Sequence, residues 1–380
     1  MAPLEPWEKV LVLQEDFQDD PHNQMRCDFC HGGTQAPDKE DAHVDLIADP
    51  SGGETQVCGS CHSVENHAFE NSLHSTQEGY WTAIEARSAP ENHAALETMF
   101  GNHCASCHTT CGDCHISQPN SVGGGFIEGH VVKKTPSMTR NCTACHGSRV
   151  GNEYLGKHEG IPGDVHFRSG RMNCVSCHTG LDMHDSTGAC EECHADSLEL
   201  VNSDTRYSGA QLPGCEDCHA EVGADGEGNP QHNMHKDKLS CQVCHSVSYT
   251  SCDGCHVAVS ETSGNPFFET QNTYLTFFIG RNPDPNYHRP YEYVPVRHIP
   301  VDTESYAYYG ENLLSNFDAL PTWAYATPHN IQRITPQNES CANCHGNEEI
   351  FLTVDIVNPE EVNANLNVIV DEIPAPIGAP

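Results

Sequence analysis

SCQVCHSVSYTSCDGCH, residues 240–256, holds two copies of Cys-x-x-Cys-His separated by the six residues 246–251. Outward from it, the same pentapeptide begins at Cys27, Cys58, Cys104, Cys111, Cys142, Cys174, Cys190, Cys215, Cys241, Cys252 and Cys341. The second cysteines are Cys30, Cys61, Cys107, Cys114, Cys145, Cys177, Cys193, Cys218, Cys244, Cys255 and Cys344, so eleven copies use all 22 cysteines. This is the spacing of c-type haem attachment. Two thiols add across the two vinyl groups of one haem, and the histidine that follows is held under the porphyrin within reach of the iron. A disulfide framework has no reason to place histidine after every second cysteine. Paired zinc sites would not repeat it at a fixed offset. The pattern predicts eleven covalently attached haem c groups, with an iron in each.

Composition agrees with a chain built around such groups. Only 37% of the 380 residues are hydrophobic, against roughly 45–50% in ordinary globular chains. Porphyrin faces are expected to supply the missing apolar core. The predicted fold class is a multihaem cytochrome c: loop-rich, with short helices and little sheet, wrapped around a continuous haem stack. A compact chain of this length has a radius of gyration of roughly 21 Å, which forces eleven haems close together.

The formal charge is −36, from 18 basic and 54 acidic residues, and haem propionates add to it. Nucleic acid and anionic membrane surfaces are therefore poor partners. No run of 18 apolar residues occurs, so no membrane span is expected. The start MAPLEPWEKV lacks the basic and apolar regions of a secretory signal. Covalent haem attachment takes place outside the cytoplasm, so the sequence reads as a mature form at the cell surface, extracellular, or in a periplasm.

Motif spacing divides the chain. Residues 1–100 form an N-terminal section with two motifs, and 101–256 a dense core with eight. Residues 257–345 are aromatic-rich and close on the last motif; 346–380 are an acidic tail. Only Thr109 and Thr110 separate His108 from Cys111, which predicts near contact between those two haems. The motif-free stretch 257–340 holds 14 of the 27 aromatic residues. It reads as an aromatic lid over haems bound elsewhere, with an extended run at 282–300 and a short helix at 305–317. Tail segments 354–357 and 367–370 look strand-like.

Histidine is in surplus. Eleven of 26 belong to the motifs: His31, His62, His108, His115, His146, His178, His194, His219, His245, His256 and His345. Low-spin haem iron takes a sixth ligand, and fifteen histidines remain to supply it. The first-tier candidates are His43, His74, His93, His103, His130, His166, His184, His232, His235, His298 and His329. They lie beside motifs or on segments free to fold over a haem. His232 and His235, three apart, share a face if helical and then serve different haems. His22, His67, His158 and His288 form a second tier.

The stretches SCQVCHSVSYTSCDGCH and GDVHFRSGRMNCVSCHTGLDMH (163–184) resemble segments of multihaem c-type cytochromes of bacterial and archaeal extracellular electron transfer. The similarity runs from Cys27 to His345. It implies bis-histidine haems in stacked and T-shaped pairs, and an electron-transfer protein in preference to an enzyme. The family includes conduits, cytochromes that polymerise into haem filaments (nanowires), and octahaem reductases. Eleven motifs exceed the octahaem count, and no Cys-x-x-Cys-Lys occurs. The leading expectation is electron transfer along eleven bis-histidine haems as a subunit of a polymerised filament. Its partners would be other redox proteins, further copies of the chain and an external electron donor or acceptor. Two alternatives stay open: a reductase of a small nitrogen or sulfur oxyanion, with a pocket lined by His288, Arg289, Tyr291 and Arg297, and a monomeric periplasmic shuttle.

Overall fold

Most of the described Cys-x-x-Cys-His motifs are single helical turns, and the reason is local. Positions i, i+3 and i+4 of a helix share a face, so one turn puts both cysteines and the histidine on the same side. Such turns occur at Cys27–His31, Cys111–His115, Thr143–His146, Cys174–Cys177 and Cys241–His245. Tighter 3-10 turns serve Val57–Ser60, Cys215–Asp217 and Cys341–Asn343. The computed structural model describes residues 4–52, 57–70, 72–105, 109–184, 213–222, 228–285, 289–299 and 301–377. Cys107, His108, Cys190, Cys193, His194 and His288 lie outside them.

The longest helices are α1, Glu78–Ala86, and α2, His93–His103. Leu96, Met99 and Phe100 repeat at helical spacing on α2 and are buried with Val257, Tyr306, Leu313 and Leu314, while Trp81 and Ile84 of α1 pack alongside. Arg87 ties the end of α1 to the carbonyls of Phe317 and Pro321. The boundary drawn at 100/101 therefore falls inside a helix, and the N-terminal section is packed on the aromatic segment.

Among the described residues, strands occur only within 249–325. Strands β1 (Tyr249–Val259) and β2 (Pro266–Thr276) form an antiparallel ribbon, and β3 (Phe278–Arg281), β4 (Tyr293–His298) and β5 (Trp323–Tyr325) form a sheet in the order β3-β4-β5. The aromatic segment thus builds protein core of its own. Val294, Val296 and Trp323 are buried with Leu352, Val357, Val368 and Ile369 of the acidic tail. The tail reaches that core through turns, without a strand: Leu352 donates to Ile279, and Arg281 to Val368. Residues 305–317 likewise form turns in place of the expected helix.

Candidate functional site

The imidazoles of this chain meet in twos. His62 faces His22, His31 faces His130, His115 faces His184 and His146 faces His74, with ring centroids 6.2, 5.8, 6.1 and 6.2 Å apart. His178 faces His329, His219 faces His166, His245 faces His232 and His345 faces His235, at 6.4, 6.1, 6.1 and 6.3 Å. In every pair one ring belongs to a motif and the other does not. Imidazole nitrogen binds a first-row metal ion at about 2.0–2.1 Å, so two imidazoles on opposite sides of one iron have centroids about 6 Å apart. The spacing fits haem iron. Among the described residues no cluster of three or more His, Cys, Asp or Glu side chains could cage a metal ion by itself. Pairs suffice for haem, where the porphyrin supplies the other ligands.

Hydrogen bonds at the far nitrogen support the same use. The Nδ1 atoms of His31, His115, His235, His245, His329 and His345 lie 2.6–3.1 Å from the carbonyls of Ile47, Lys133, Gln231, Gln332, Thr327 and Ala375. A carbonyl only accepts, so Nδ1 carries the proton and Nε2 keeps a lone pair for a metal. Burial pushes His74 and His329 down to about 4. It lowers His115 and His130 as well. All four are neutral, the ligating form, near pH 7.

The cysteines place these pairs in single file. On the expected haem attachment, each thiol marks where a thioether sulfur would lie. Cys58 hydrogen-bonds Cys111, Cys142 bonds Cys174, and Cys215 bonds Cys241. Cys30 is within electrostatic range of Cys58 and Cys61, Cys114 of Cys142, Cys177 of Cys218, and Cys244 of Cys344. The file therefore runs through the motifs beginning at 27, 58, 111, 142, 174, 215, 241 and 341. Cys104 packs with Ala105 against the cluster that contains Val257.

Within the file the arrangement occurs twice. The first unit contains the motifs from 27, 58, 111 and 142; the second those from 174, 215, 241 and 341. Cys58–Cys111 corresponds to Cys215–Cys241. His130 opposite His31 corresponds to His329 opposite His178, and His22 opposite His62 to His166 opposite His219. The Lys133 carbonyl, three residues past His130, receives His115; the Gln332 carbonyl, three past His329, receives His245. The two units join where Cys142 meets Cys174. No spacing in the sequence announces this repeat.

Several candidates stand elsewhere. His298, a first-tier ligand candidate, is buried between two carboxylates, with Nδ1 2.9 Å from Asp253 and Nε2 3.0 Å from Glu361. Both nitrogens are committed, and neither is open to iron. His43 is exposed at the end of the Lys39–Ala42 helix. His103 Nε2 is 2.8 Å from the Tyr309 hydroxyl, and His158 Nε2 3.3 Å from Thr250. His93 Nε2 is buried with no hydrogen-bond partner, an orphan that a metal would satisfy. His67 lies on the Ser63–Glu70 helix. His22, second tier in the sequence, is the ring opposite His62. Its signal was local: Asp20 two residues earlier caps the turn that carries it.

One motif differs. Cys252–His256 lies in β1, where residues three apart point to opposite faces. The strand register sets Glu269 against His256, and His256 Nε2 is 3.2 Å from its carboxylate. This site does not present the paired imidazoles of the other eight. In the suggested reductase pocket, Tyr291 donates to Glu216, and Arg289 stacks 4.7 Å over Tyr325. Among the described residues no helix is long and apolar enough to cross a membrane. No known protein family, curated protein or solved structure matches the chain.

Proposed function

We propose that this chain is a multihaem c-type cytochrome that carries electrons along a file of bis-histidine iron sites. The observation that carries the reading is the pairing of eight motif histidines with eight others at iron-spanning distance. Bound haem supplies a one-electron iron couple with both axial positions filled. The chain's own residues do the rest. Cysteine pairs fix the groups covalently, carbonyls orient the rings, and the file sets successive attachment points near one another.

The duplicated unit supports end-to-end assembly outside the cytoplasm. The internal joint sets Cys142 of the first unit against Cys174 of the second. By the same correspondence the last motif, from Cys341, would meet the first, from Cys27, of another copy, and both cysteines are exposed. Electron microscopy of concentrated protein tests this, and only monomers under those conditions would refute assembly.

The reductase reading rests on the Cys252–His256 site, where a carboxylate lies beside the motif histidine. Electron paramagnetic resonance of the oxidised protein, with haem and iron quantified together, decides between them. Low-spin signals integrating to eleven haems favour the conduit. A high-spin fraction near one in eleven favours an exchangeable site.

A further inference from the structure

Two buried carboxylates make the same three hydrogen bonds in the two halves of the file. Asp20 Oδ1 accepts from the backbone N–H of His22 at 2.9 Å and from its Nδ1 at 2.8 Å, while Oδ2 accepts from Val132 N at 2.7 Å. Asp164 Oδ1 accepts from His166 N at 2.7 Å and from its Nδ1 at 3.0 Å, while Oδ2 accepts from Ile331 N at 2.6 Å. Val132 lies two residues past His130, and Ile331 two past His329. Each aspartate therefore grips one distal imidazole directly and the backbone behind a second. The two imidazoles serve adjacent sites: His62 and His31 for Asp20, His219 and His178 for Asp164. The Asp20 and Asp164 side chains are 1% and 2% exposed, while His22 and His166 are 35% and 34% exposed, so the carboxylates are shielded from water and the imidazole edges only in part.

We propose that Asp20 and Asp164 are positioning residues shared between neighbouring iron sites, each holding two distal ligands and tuning the pair through its charge. The proposal rests on the haem-binding reading above. A carboxylate at Nδ1 fixes the ring and makes Nε2 a stronger donor than a neutral carbonyl does. A stronger donor favours ferric iron, so the His62 and His219 sites sit at lower potential than the carbonyl-supported ones. The second oxygen keeps His130 and His329 in register with their partners. Asp-x-His occurs at 20–22 and 164–166, but also at 41–43, 113–115, 182–184 and 217–219, so the tertiary contact to Val132 or Ile331, and not the tripeptide, defines the device.

The test is Asp164→Asn in the full-length holoprotein, with Asp20→Asn as an independent second variant. Asparagine keeps an acceptor for His166 but loses the charge and the second acceptor. Covalent haem is counted first, on wild type and variants. The expected result is eleven haems, a rise in the midpoint potential of one site, and altered paramagnetic resonance at that site and one neighbour. Eleven haems with every potential and signal unchanged would overturn the proposal, as would a change confined to one site in both variants. A wild-type protein without covalent haem would overturn the underlying reading and this proposal with it, and the haem count alone distinguishes that case.

Discussion

His178 and His329 face each other with centroids 6.4 Å apart and planes inclined by 21°, although they come from opposite ends of the second unit. The loop carrying His329 is held from three sides. Glu153 accepts from His329 N, Asp164 from Ile331 N, and Arg149 reaches the carbonyl of Ala326 and the Thr327 hydroxyl. The placement of His329 is a tertiary construction, whereas the motif that it faces is a single turn of chain.

His329→Ala should leave the haem attached through Cys174 and Cys177 while converting about one site in eleven from low-spin to high-spin iron, since the other axial ligand remains. Paramagnetic resonance on variant and wild type, normalised to haem, checks it. His298→Ala is the control. Both its nitrogens are bonded to carboxylates, so the spectrum should not change.

His298→Ala should nonetheless destabilise the protein. Glu361 accepts from His298, Thr322 and Asn358 and is buried. Removing one partner of a buried ion pair costs about 3–5 kcal/mol, and the low end applies because Asp253 is partly exposed. Denaturant unfolding of the holoprotein measures the difference.

The same pair gives stability a pH optimum. Burial works to lower His298, but the Glu361 and Asp253 carboxylates prevail and hold it above 6.5. Burial works to raise Glu361, but hydrogen bonds from His298, Thr322 and Asn358 hold it below 4.5. A raised histidine stabilises fully below its ordinary value and loses that effect as pH rises through the folded value. A lowered carboxylate stabilises above its ordinary value and loses the effect as pH falls. The contribution is greatest between 4.5 and 6.5, and His298→Gln should flatten both limbs of the stability curve.

Glu153 is fully buried and accepts from Thr250 N and His329 N. Glu153→Ala strands both donors at about 1–3 kcal/mol each, and should also loosen His329 enough to raise the high-spin fraction. Glu153→Gln keeps one acceptor oxygen and should lose less. Unfolding and paramagnetic resonance on the two variants separate these effects.

Leu96→Ala tests the protein core apart from the iron sites. Leu96 is fully buried against Met99, Phe100 and Leu314. Its truncation should cost about 2–5 kcal/mol with no change in the resonance spectrum.

Much of the candidate site was legible locally. The helical turn of Cys27–His31 or Cys241–His245 follows from five consecutive residues, and His232 and His235 do lie on one short helix, facing His245 and His345. The near contact expected across the Thr109–Thr110 tether involves Cys107 and His108, which lie outside the described residues. The approach of Cys111 to Cys58 across the fold was not legible from chain proximity. Strand formation at Cys252–His256 was not legible either. There, pairing with Pro266–Thr276 overrides the turn that the motif favours elsewhere.

The sequence by itself determined where the proposed haem attachment points lie, because Cys-x-x-Cys-His is a local pattern read within five residues. It also determined that imidazole would be abundant enough to fill the sixth positions, and that the surface would be strongly acidic. Only the tertiary structure decided which histidine faces which, the order of the sites, the duplicated unit and its two aspartate clamps. Those depend on segments such as 20–22 with 130–132, and 164–166 with 329–331, meeting across long stretches of unequal length. No periodicity along the chain records such a meeting, because it is set by packing and buried hydrogen bonds after the chain has folded.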